Sequence, residues 1–82
     1  MNQGVYIILR DKMAQQDERY GPFASTHEAL GVLLEEWDEL RAAIQSNNLD
    51  DVQRECLDLA VPLMRLYEQL FEGARLRRRS VK

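Results

Sequence analysis

EEWDELRAAIQSNNLDDVQRECLD, residues 35–58, decides how this chain folds. The two ends of the stretch are acidic and mirror each other. Glu36 and Glu39 lie three residues apart on one side, Glu55 and Asp58 three apart on the other, and both nested pairs centre on Asn47. Ser46-Asn47-Asn48 in the middle is short and polar, and a connection of that length joins antiparallel neighbours. Helices on either side bring Glu39 opposite Glu55, with Glu36 opposite Asp58 one level further on. At a rise of about 1.5 Å per residue the two levels lie roughly 4.5 Å apart. Carboxylates held that close repel each other unless a cation sits among them. Such hard oxygen donors suit a divalent ion, Mg2+ first and Mn2+ second.

Outward from that hairpin, three helices can be read. Ser25-Thr26-His27-Glu28 is a capping box that starts the second helix, which then runs to about Gln45. The third begins near Leu49 with Asn48 as its cap and Asp50 and Asp51 in the first turn, and is expected to end at Gly73. Pro62 inside it removes an amide and predicts a kink one turn past the acids. Before the hairpin, Val5, Leu9 and Met13 recur at helical spacing, and the stretch from Arg10 to Arg19 lacks β-branched residues. A first helix from Gln3 to Arg19, stopped by Gly21-Pro22, follows. The expected fold is all-α: an antiparallel helical hairpin plus an N-terminal helix.

Plotted at about 100° per residue, Ala29, Leu30, Leu33, Trp37, Leu40 and Ile44 form one apolar arc on the second helix, with Glu36 inside its edge. On the third, Val52, Leu59, Leu63, Leu66 and Leu70 share a face, with Glu55 beside Leu66 and Asp58 at the margin. The acids therefore follow the seam where the two apolar faces meet. Trp37 reads as core packing, and beside Glu36 it is also the side chain placed to stack on a nucleobase. Cys56 reads as a small buried hydrophobe, and His27 as a surface residue near the cap. Ala60, Met64, Tyr67 and Phe71, with Leu57 nearby, make a second apolar patch on the third helix. Two other helices cannot cover both faces. Self-association, as a homodimer or homotetramer completing a four-helix-type bundle, is the economical expectation.

The chain has 82 residues and a net charge of −3. Residues 73–82 hold five Lys or Arg and no acid, so the other 72 carry six bases against fourteen acids, a net −8. A single domain over residues 1–72 with a basic, disordered and solvated tail at 73–82 follows. An acidic body argues against a nucleic-acid-binding role, which needs a basic face on the fold. No apolar run is long enough to span a bilayer, and Met1 is not followed by a signal-peptide pattern. The one cysteine suits a reducing compartment, so a cytoplasmic location is expected.

Glu35-Glu36-Trp37-Asp38-Glu39, a gap of 15 residues, then Glu55-Cys56-Leu57-Asp58 reads as EExxE followed by ExxD. That order resembles the signature of the MazG-like, all-α nucleoside triphosphate pyrophosphohydrolases. The likeness extends through Tyr20-Gly21-Pro22-Phe23 and Gly31-Val32-Leu33-Leu34, toward a compact bacterial and phage branch. The resemblance implies Mg2+-dependent cleavage of a nucleoside triphosphate between its α and β phosphates, giving a monophosphate and pyrophosphate. It assigns Glu36, Glu39, Glu55 and Asp58 as metal ligands. Glu35, the first acid of the motif, would serve a second metal or orient a water. Lys12 and Arg54 are the candidates for phosphate-facing charge. One departure stands out: Leu34 occupies the position where a Lys often precedes the paired acids. A non-catalytic helical interaction module that has kept the acidic motif is therefore the alternative reading.

Overall fold

The computed structural model describes the backbone of residues 1–80 and the side chains of residues 1–74. Among the described residues it is all-helical: α1 spans Gln3–Tyr20, α2 Thr26–Gln45 and α3 Leu49–Ser80. Local chemistry sets the ends. The Asn2 side chain accepts the amides of Gly4 and Val5 at the start of α1. Ser25 Oγ accepts the Glu28 amide at 3.1 Å, while the Glu28 carboxylate reaches back to the Ala24 amide. Asn48 caps α3 by accepting the Asp51 amide at 3.2 Å. Each cap satisfies amides that the first helical turn leaves open. Gly21 ends α1 at φ 69°, ψ −170°, a conformation strained for any residue with a Cβ.

α3 is the spine: α2 packs along one side of it and α1 along another, while α1 and α2 make no close approach to each other. Asn47, at φ 59°, turns the α2–α3 hairpin. Leu9 and Met13 of α1 bury against Val61, with Leu57 and Ala60 packed beside them. Ala29, Leu40 and Ala43 are the buried residues of α2. The loop between α1 and α2 is pinned by α3. Gln69 clamps both backbone groups of Phe23, accepting its amide and donating to its carbonyl, each at 2.9 Å. Arg65, 5% exposed, donates to Asp17 at 2.7 Å and to the Gly21 carbonyl at 2.6 Å, and lies over the Phe23 ring.

Four sequence expectations need correction. α3 does not stop at Gly73 but continues to Ser80, because Gly73 stays out of the left-handed conformation that ends helices. The side chains of the basic tail lie outside the described residues. Trp37, 48% exposed, is not core, and Leu30 and Ile44 are as open. α3 covers the arc through Ala29, Leu40 and Ala43, which leaves the Leu30–Trp37–Ile44 edge uncovered. Cys56 is exposed rather than buried. The expected free patch also divides: Leu57 and Ala60 pack under α1, and Met64, Tyr67 and Phe71 remain exposed with Leu63 and Leu70.

These open residues share a side. At about 100° per residue, Leu63, Tyr67 and Leu70 lie roughly 150° around α3 from the buried Val61 and Arg65. The Cα radius of gyration is 14.9 Å, where a compact chain of this length gives about 12 Å. The surface is 6681 Å², against about 5,100 Å² for a compact monomer of this mass. No large side chain among the described residues is fully buried. One layer of three helices thus leaves a broad apolar side without a second layer. No helix among the described residues is long and apolar enough to cross a membrane.

Candidate metal centre

Because α1 and α2 both rest on α3 and make no close backbone approach to each other, a cleft of about 630 Å³ opens between them. Val61 and Pro62 of α3 form its floor with Val32 of α2. Glu36 and Asp58 project into it from the hairpin, and Lys12, Gln15, Gln16 and Arg19 line it from α1. Pro62 matters locally. Its ring nitrogen leaves the Asp58 carbonyl without a helical partner, one turn from the acids.

At the cleft's acidic end the hairpin meets the mirror spacing in part, bringing Glu39 and Glu55 together with Glu36 but not Asp58. Glu36, Glu39 and Glu55 each offer one carboxylate oxygen, and all three oxygens lie within 4.8 Å of one another. Oxygens on a single octahedral ion sit about 3.0 to 4.2 Å apart, so a closing movement of less than an ångström would satisfy one. Asp58 is exposed and stands outside this trio, but its charge reaches both Glu36 and Glu55.

Electrostatics mark the cluster. The Glu36 carboxyl is pushed up to about 7, first by desolvation and then by the charges of Glu39, Asp58 and Glu55. Glu55, its side chain 14% exposed, is raised by desolvation first and then by the charges of Asp58 and Glu39, with Arg54 at 3.9 Å acting weakly the other way. Glu36 Oε2 and Glu55 Oε2 are buried without any hydrogen-bond partner. Two orphaned carboxylate oxygens facing a third acid are costly unless a proton or a cation serves them. An all-oxygen, anionic donor set fits a hard divalent ion.

The other site candidates separate. Glu35 is exposed and outside the converging oxygens. Lys12 lines the cleft. Arg54 does not; it is held by Asp51 at 2.6 Å, beside the acids. Trp37 also stays out of the cleft lining. The sequence reading missed Arg19 and Gln16, whose signal was available: Lys12, Gln16 and Arg19 follow i, i+4, i+7 on α1, beside the Leu9–Met13 stripe. It also missed Arg65, which reaches a partner 48 residues away.

The fold and site define an all-helical protein with an acid-walled cleft. Comparison with protein-family models, with curated proteins and with solved structures returned no match.

Proposed function

We propose that this chain is a MazG-like, Mg2+-dependent nucleoside triphosphate pyrophosphohydrolase, working as a homodimer or homotetramer. The observation that carries the reading is the convergence of Glu36, Glu39 and Glu55 beside Asp58, with two buried carboxylate oxygens lacking any partner. Glu36, Glu39, Glu55 and Asp58 would hold the ion, which Mn2+ can replace. Bound there, it supplies neutralisation of phosphate charge and a water of lowered pKa. The acids fix that position across the hairpin, while Glu35, on the open side of α2, is left to orient water. Hydrolysis then adds water at the α phosphorus, breaks its bond to the bridging oxygen and releases pyrophosphate.

Oligomerisation follows from the uncovered side. Leu30, Trp37 and Ile44 on α2 and Leu63, Tyr67 and Leu70 on α3 are each close to half exposed or more. Packing two hairpins through these residues completes a four-helix bundle and leaves both clefts open. The second reading, a non-catalytic helical module, is supported by Leu34, exposed where the family pattern often has Lys.

The test is a panel of ribo- and deoxynucleoside triphosphates with Mg2+, assayed for pyrophosphate and monophosphate. The proposal expects release that EDTA and Glu36→Gln both abolish. Release of orthophosphate alone, or no product from any nucleotide, rejects it in favour of the module.

A further inference from the structure

Lys12 and Arg19 are the cations of the cleft that have no carboxylate partner among the described residues. The third, Arg65, is already committed to Asp17 and the Gly21 carbonyl. Arg19 rests over the Tyr20 ring, and Gln15 donates to Asp11. Gln16, half-buried between Lys12 and Arg19 on the same face of α1, lines the cleft with them. One wall of the cleft is therefore cationic and amide-bearing, the other acidic, and the floor between them is apolar. Such a cleft suits a ligand that is itself bipolar: an anion that carries its own divalent cation.

We infer that α1 is the phosphate-binding wall, with Lys12 and Arg19 holding the distal phosphates of a metal-bound polyphosphate and Gln16 donating between them. The inference rests on the reading that the acids hold a divalent ion. Lys12 and Arg19 are seven residues apart, about 10 Å along the helix axis. Their long side chains converge on a run of two or three phosphates, where a single phosphate would engage only one of them. The pairing also suits the chemistry: a compact ammonium beside a planar guanidinium that can bind two oxygens at once. A polyphosphate without metal would meet the repulsion of Glu36 and Asp58. The wall and the acid cluster thus act on the same ligand from opposite ends, and the nucleoside is left toward the open hairpin side.

The experiment is calorimetric titration of the full-length protein with Mn2+ alone, and with inorganic tripolyphosphate in the presence and absence of saturating Mn2+. Lys12→Gln/Arg19→Gln is compared with the charge-matched control Arg10→Gln/Arg41→Gln, whose residues are exposed and outside the cleft. Circular dichroism verifies that every variant is helical. The expected result is at least a tenfold loss of tripolyphosphate affinity in the cleft variant, about that expected from one lost charged hydrogen bond. Mn2+ affinity stays unchanged, the control binds like wild type, and Lys12→Arg/Arg19→Lys recovers most of the loss. Equal loss in both double variants would mean bulk electrostatics and overturn the inference, as would tripolyphosphate affinity that neither pair alters. Wild-type protein that binds no Mn2+ yet holds tripolyphosphate through Lys12 and Arg19 would sink the metal reading and keep the wall.

Discussion

Replacing Glu36 by Gln should stabilise the metal-free protein by an amount that grows as pH rises from about 4.5 to 7 and is full above neutral pH. The carboxyl titrates near 4.5 when unperturbed and at about 7 in the fold, raised by desolvation first and then by Glu39, Asp58 and Glu55. Between those values the folded state keeps a proton that the unfolded chain has released. Stability therefore falls as pH rises through that window, and above it the folded state bears the full repulsion. Gln carries no charge, and its amide can donate to the neighbouring acids. At face value a rise from 4.5 to about 7 corresponds to roughly 3 kcal/mol. The cleft is open to solvent, and screening reduces this to about 1–2 kcal/mol. For a domain of this size that is a Tm increase of about 5–10 °C at pH 8, shrinking toward zero at pH 5. Thermal unfolding followed by circular dichroism in EDTA at both pH values measures it. An unchanged or lower Tm for Glu36→Gln at pH 8 would refute the reasoning, since it would mean the carboxylate is well solvated or paired.

Adding Mn2+ at pH 8 should raise Tm, by the equivalent of about 2.7 kcal/mol at a hundred times its Kd. The shift should fade as pH falls through 7, where Glu36 takes up its proton; a constant shift across that range counts against the site. Arg65→Ala leaves the Gly21 carbonyl and Phe23 unsupported and should cost about 2–3 kcal/mol in urea unfolding, with Asp17, half exposed, rehydrating. A loss below half a kcal/mol would show the loop does not need the lock. Leu63→Glu/Tyr67→Glu should turn the proposed oligomer into a helical monomer in sedimentation velocity, because both residues lie on the uncovered side. Retention of the wild-type mass would move the interface elsewhere.

The starts of α2 and α3 and the hairpin turn were legible because caps are local chemistry. Ser25, Asn48 and the Ser46–Asn48 turn each act within a few residues, and the structure uses them as read. The convergence of Glu39 with Glu36 and Glu55 was legible too, since a hairpin's register follows from its turn. What stayed hidden depends on neighbours. The apolar arc of α2 was visible, but only its Ala29–Leu40–Ala43 side meets α3 in one chain, so Trp37 is open. Cys56, on α3, is exposed as well, since one chain offers nothing to cover it. Arg65 gave no signal, as its partners Asp17 and Gly21 belong to the far end of another helix. Gly73 misled because a glycine inside a helix costs only about 1 kcal/mol, which a long helix tolerates.

Crystals grown with Mn2+ and diffracted at the manganese edge give the most direct test of the acid cluster. Prediction: an anomalous peak on the hairpin, with one oxygen each of Glu36, Glu39 and Glu55 at about 2.1–2.2 Å and Asp58 drawn in as a fourth ligand. A protein saturated with Mn2+ whose peak lies away from these residues, or which shows none, would leave an all-helical fold with no metal chemistry at the acids.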